Sequence, residues 1–145
     1  MPVIVLDAYA LEAYFILEAS APIVRDLIAD GEQVLISGIN LAETLDRMIR
    51  VHGISAEDLE ADLLGTPVHV TAVDGPTTFE AARLRAAHYH RTRRAVSIAD
   101  CCAAALALDR DAPLVTSNSA LLGLIADENG RSLALPDSDG NVWSP

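Results

Sequence analysis

The sequence predicts an α/β domain: a three-layer α/β/α sandwich with a central parallel sheet. Three observations predict it. Short β-branched runs alternate with longer helical stretches along the whole chain, the pattern that pairs strands in parallel through helical crossovers. The runs themselves, VIVLD at 3–7 above all, read as buried strands. Finally, several of these runs end in polar side chains, where parallel sheets carry their ligands.

Each element has a reason in the residues. VIVLD is a strand ending in an acid, and AYALEAYFILEA after it has helical spacing. SAPIVRDLIADG reads as a helix capped by Ser20, with Pro22 just inside and Gly31 closing it. QVLIS at 33–37 is a strand. Its Ser37 can cap the next helix, GINLAETLDRMIRVHG, which Gly53 closes. Ser55 stands three residues before Asp58 and opens a short helix at 55–65. PVHVTAV at 67–73 is a strand, followed by one long helix over 76–93. SIADCCAAALALDRD is a helix with Ser97 as its cap. PLVTS at 113–117 is a strand, NSALLGLIADENG a short helix, and RSLAL at 131–135 a last edge strand. Nothing divides the chain, so residues 1–136 read as one domain and the polar segment 137–145 as a loose tail.

Composition narrows the class. The chain has 145 residues, 51% of them hydrophobic, enough for a core and too many for a disordered protein. No run of 18 apolar residues predicts a membrane span, and MPVIVLDAYA lacks the basic start of a signal peptide. The two cysteines, Cys101 and Cys102, are adjacent and cannot bridge each other comfortably, which points to a reducing, cytoplasmic setting. They read as core residues, because a nucleophilic role needs a nearby histidine and His88 and His90 belong to another helix. The net charge of −11 argues against broad affinity for nucleic acid. All ten cations are arginines, however, and Arg83, Arg85, Arg91, Arg93 and Arg94 fall together in RLRAAHYHRTRR. That patch could grip a phosphate chain, or simply be a solvated helix end.

Asp7, Glu43, Asp100 and Asn118 could share one crevice. Asp7 ends the first strand, and Asn40 and Glu43 lie in the first turns after Ser37. Asp100 follows its cap by three residues, and Thr116 and Asn118 end the strand at 113–117. Singly, each has a plain role. Asp7 could cap a helix, Glu43 could pair with Arg47 at i+4, Asp100 could sit on a helix dipole, and Asn118 could cap or turn the chain. Together they are harder to dismiss. Asp100 shares a helix face with Ala103, Ala104 and Ala107, small residues that let a helix pack tightly and desolvate its acid. Clustered carboxylates repel, so one would hold a proton near neutrality, and no lysine exists to pair with them. Mg²⁺ or Mn²⁺ resolves this, taking one or two carboxylates and keeping several waters. Such an ion activates water and stabilises the leaving oxygen of a phosphodiester. Asp109, half a turn round the helix from Asp100, faces away.

The segments VIVLDAYAL, SGINLAETL, VSIADCCAAALA and PLVTSNSAL, in this order and spacing, resemble the PIN-domain proteins, specifically the VapC-type ribonuclease toxins of bacterial toxin–antitoxin pairs. The resemblance covers nearly the whole chain. It implies an acidic crevice holding Mg²⁺ or Mn²⁺, cleavage of RNA, a cognate antitoxin and a homodimer. It carries the family's acids onto Asp7, Glu43 and Asp100, while Asn118 stands where the family usually has an acid. The expected arrangement is one ion between Asp7 and Asp100, Glu43 and Asn118 acting through water, Asn40 and Thr116 supporting the shell, and the arginines of 83–94 on flanking phosphates. Tyr9, Tyr14, Phe15 and Ile16, with the region 54–64, are candidate faces for a partner helix. Asn118 keeps open a catalytically weakened module that binds metal, RNA or antitoxin. A phospho-receiver is disfavoured, since it needs paired acids after the first strand and a lysine.

Overall fold

A computed structural model describes residues 3–30 and 33–145. Its elements are β1 (Val3–Leu6), α1 (Ala8–Ile16), α2 (Ala21–Asp30), β2 (Gln33–Ser37), α3 (Gly38–Arg50) and α4 (Ala56–Leu64). β3 (Val68–Thr71), α5 (Gly75–His88), α6 (Ile98–Asp109), β4 (Leu114–Thr116), α7 (Ser119–Asp127) and β5 (Ser132–Ala134) complete it. The five strands form one sheet in the order β3-β2-β1-β4-β5, with every pairing parallel. The predicted α/β/α sandwich is therefore the observed fold.

Alternation along each strand builds the three layers. Val5, Leu35 and Leu114 point to one face, into a core with Leu84 of α5, the apolar side chains of α6, and Leu121, Leu124 and Ile125 of α7. Ile4, Leu6, Val34, Ile36 and Val115 point to the other, against Ala10 and Leu11 of α1 and Val24 and Ile28 of α2. Helix α6 is buried without interruption from Cys101 to Ala107. Apolar all round, it is the central helix of its layer, and its alanines let it lie close on the sheet.

Several boundaries differ from the expected ones. α1 stops at Ile16 because Leu17 turns left-handed (φ 57°) while its N–H still reaches the Ala13 carbonyl. Ser20 precedes α2, but its hydroxyl donates to the Pro136 carbonyl (2.8 Å) and does not cap the helix. Gly31, expected to close α2, lies outside the described residues. The long helix expected over 76–93 ends at His88. The His90 Nδ1 accepts from the N–H groups of Thr92 (3.2 Å) and Arg93 (3.1 Å), so a side chain captures donors that a helix would need. His90 and Arg94 then exchange backbone hydrogen bonds, both 2.9 Å. The tail is not wholly loose: the Asp137 carboxylate accepts from the N–H groups of Asp139 and Asn141, each at 2.9 Å, and closes a turn.

Candidate metal centre

The strand order makes β1 the middle strand. The chain winds outward from it through β2 to β3 on one side and through β4 to β5 on the other. The winding reverses between β1 and β4, and in open parallel sheets a ligand crevice lies there, outside the carboxyl ends of the strands. Asp7 follows β1 directly and is nearly fully buried. One carboxylate oxygen caps α1, accepting from the Ala10 N–H at 2.9 Å. The other accepts from the hydroxyl of Thr116 at the end of β4. Thr116 in turn accepts from the Asn118 N–H (3.0 Å), so one hydroxyl joins the ends of two strands and the start of α7.

Asn40 organises the opposite wall. Ser37 caps α3 by accepting from the Asn40 N–H (3.2 Å) and donates its own hydroxyl to the Asn40 carboxamide oxygen. The carboxamide NH₂ donates to Glu43 (3.4 Å) and to the Ala99 carbonyl of α6 (3.2 Å). Asp100, next in the chain, closes a capping box with Ser97: each accepts the other's backbone N–H, both at 2.9 Å. The plain capping roles of Asp7 and Asp100 are thus real, and they are what aims these carboxylates.

Charge couples the acids. Burial, above all, pushes the Asp7 carboxyl up to about 7 against the lowering effect of its two hydrogen bonds, and the charges of Asp100 and Glu43 push it further. Burial and then Asp100 also raise Glu43, while Asn40 opposes them. All three acids therefore lie within one another's field. Among the described residues no ion pair involves any of them. Arg47, a candidate partner for Glu43, is held instead by Glu12 at 2.9 Å, with His52 on the same carboxylate at 3.2 Å.

Two expectations are corrected. The carbonyl oxygen of Asn118, expected to face a ligand, accepts from the N–H groups of Ala120 (3.0 Å) and Leu121 (3.3 Å) and caps α7. Its two lone pairs are occupied. The arginine run does not form one free patch. Arg83 pairs with Glu80 (2.6 Å) and Glu128 (2.8 Å), and Arg94 with Asp127 (2.6 Å). Arg85 donates to the Val96 carbonyl (3.0 Å) and stacks over Tyr89 at 4.3 Å. Arg91 and Arg93 remain exposed on the turn after α5. The cysteines are buried, and burial pushes the Cys101 thiol up to about 11, far from a reactive thiolate.

Sequence reasoning missed Thr44, whose buried hydroxyl bonds the Ala8 carbonyl (3.2 Å) and ties α3 to the residue after Asp7. A signal existed: Asn40 and Thr44 are polar residues on the same buried face as Leu41 and Met48. Glu12 was also missed; its partners are 35 and 40 residues away and leave no local mark.

Among the described residues no three His, Cys, Asp or Glu side chains are gathered tightly enough to hold an ion between them. The donor set still fits Mg²⁺ or Mn²⁺, which needs only one or two direct carboxylates with waters filling the rest. The oxygens are hard, no ion pair among the described residues offsets their repulsion, and the charge of Asp100 acts on Asp7.

The fold and crevice define a doubly wound α/β domain with acids at its switch point. The PIN domain family model matches residues 4–125, and the chain belongs to that family. No curated protein matches by sequence. Among solved structures, the chain is similar to VapBC2 of Rickettsia felis bound to a DNA fragment from its promoter: TM-score 0.63, 18% identity, 93% of this chain and 99% of that one covered. A sarcin–ricin-loop-cleaving VapC toxin of Mycobacterium tuberculosis gives 0.62 at 23% identity, covering 75% and 84%. A toxin–antitoxin complex from Klebsiella pneumoniae gives 0.62 at 19%, covering 80% and 87%.

Proposed function

We propose that the protein is a Mg²⁺- or Mn²⁺-dependent endoribonuclease, the toxin of a type II toxin–antitoxin pair, hydrolysing RNA phosphodiester bonds. One observation carries this reading. Asp7, Glu43 and Asp100, from three separate segments, share one electrostatic field at the switch point, and among the described residues no cationic side chain pairs with them. Family membership and the toxins among its structural relatives support it.

Asp7 and Asp100 would hold the ion directly, and Glu43 through water. Bound there, the ion supplies positive charge to the scissile phosphate and lowers the pKa of attacking water. Glu43 would orient that water and accept its proton as the water oxygen bonds to phosphorus and the P–O bond to the departing sugar oxygen breaks, that oxygen taking a proton from solvent. Thr116 fixes the Asp7 carboxylate, and Asn40 fixes Glu43. Asn118 acts as the cap that starts α7 beside the crevice. Arg91 and Arg93 are the arginines open to flanking phosphates.

The partners follow the same logic. A cognate antitoxin would use the mixed polar and apolar hollow lined by Tyr14, Phe15, Leu17, Arg25, Asp62, Gly65 and Thr66. A second copy of the chain would use α5. The protein would act in the cytoplasm; among the described residues no helix is long and apolar enough to cross a membrane. Asn118, whose oxygen is committed to its cap, favours the second reading of a weakened nuclease.

The test is an RNase assay on purified protein with Mn²⁺, an EDTA control and the variant Asp100→Asn. The proposal expects cleavage that EDTA stops, and that Asp100→Asn reduces at least about 100-fold with the melting temperature kept. Metal-dependent RNA binding without cleavage would favour the weakened module, and cleavage indifferent to EDTA would refute the metal reading.

A further inference from the structure

Asn40 stands out among the buried polar groups. It is 1% exposed, and every hydrogen-bonding group of its carboxamide is engaged. The orientation is dictated by chemistry. Glu43 and the Ala99 carbonyl can only accept, so the NH₂ must face them; the carboxamide oxygen then faces the Ser37 hydroxyl. Ser37 completes the arrangement, accepting from the Asn40 N–H while donating its hydroxyl to the carboxamide oxygen. One side chain thus links the cap of α3, the Glu43 carboxylate and the first turn of α6 immediately before Asp100.

Resting on the nuclease reading, we infer that Asn40 is a positioning residue that sets the spacing of Glu43 and Asp100, and thereby favours Mg²⁺ in the crevice. Mg²⁺ demands near-ideal octahedral geometry and dehydrates reluctantly, so its water-mediated ligands must be held in place. Mn²⁺, less reluctant to dehydrate, takes a loosened shell more readily. Outer partners of this kind change metal affinity by about 10- to 100-fold. Asn40 donates to Glu43 from a buried position, and its second N–H ties α6 to α3. Of the two carboxylate oxygens of Glu43, one is turned toward this donor, which leaves the other for a water of the metal shell.

The experiment is a double-mutant cycle on the full chain without RNA. Mg²⁺ and Mn²⁺ affinities are measured by calorimetry for wild type, Asn40→Ala, Glu43→Gln and the double variant. Asn40→Ala is expected to weaken Mg²⁺ about 10-fold and Mn²⁺ less. In the Glu43→Gln background the same change is expected to cost less, since residue 43 has lost the charge it presents to the ion and only the tie to the Ala99 carbonyl still acts through Asp100. Ser37→Ala, which keeps the amide but frees it to turn, gives the same trend more weakly and serves if Asn40→Ala does not fold. Equal losses in both backgrounds, or equal losses for the two metals, overturn the inference alone. Failure of the wild type to bind either metal overturns the nuclease reading and this inference with it.

Discussion

Asp7 joins an electrostatic conflict to a structural duty. Its carboxylate caps α1 and receives the Thr116 hydroxyl, yet burial and two neighbouring acids hold its proton on to about pH 7. The sign of the pH effect follows. A carboxyl raised from 3.8 to about 7 favours the folded state fully below pH 3.8, and that contribution is lost as pH rises through 7. Three units correspond to at most about 4 kcal/mol. Asp7→Asn keeps the capping oxygen and removes the charge. In EDTA it should therefore be more stable than wild type at pH 8 and equal to it near pH 3.5, read from urea midpoints. Wild-type superiority at pH 8 without metal would contradict the burial argument. At this scale the sequence was legible where a residue's role is local: the caps at Asp7, Ser37, Ser55 and Ser97 follow from short-range patterns. It was illegible where a partner lies far off, as with Glu12 holding Arg47 away from Glu43.

Helix α6 explains how an acid comes to sit at the sheet's edge. Ala103, Ala104 and Ala107 are fully or almost fully buried, so the helix can approach the strands closely and deliver its first turn to the crevice. Widening that seam should move the site. Ala104→Leu adds volume where none is free, and a cost of about 1–3 kcal/mol is expected in chemical denaturation, together with weaker Mg²⁺ binding. Unchanged stability would mean that α6 is not tightly seated. Strand and helix identities were readable because the hydrophobic period differs between them. The end of α5 was not, because it depends on the His90 ring reaching backbone N–H groups, which no periodicity encodes.

On the scale of the whole molecule, alternation of strands and helices announced a parallel sheet but left the strand order open; that order, with β1 in the middle, is what brings Asp7 beside Thr116. Acidity dominates the surface, and internal pairing of Arg83 and Arg94 leaves little free positive charge in the expected patch. An exposed stripe runs along α5 and just past its end: Phe79 (81% exposed), Ala82, Ala86 and Tyr89 (45%), with Arg85 stacked on the last ring. About a two-fold axis at Leu84, position 79 of one copy meets 89 of the next, and 82 meets 86, so the stripe complements itself as an isologous contact requires. Ala86→Glu should convert a dimer to a monomer in sedimentation; a wild type that is already monomeric at high concentration would remove this surface from the account.

The most direct test is anomalous diffraction from crystals grown with Mn²⁺. A peak within coordination distance, about 2.2 Å, of carboxylate oxygens of both Asp7 and Asp100, with Glu43 reached through water, is the predicted result. A peak elsewhere, or no peak in the crevice at saturating Mn²⁺, would contradict the claim that a divalent ion draws these acids together.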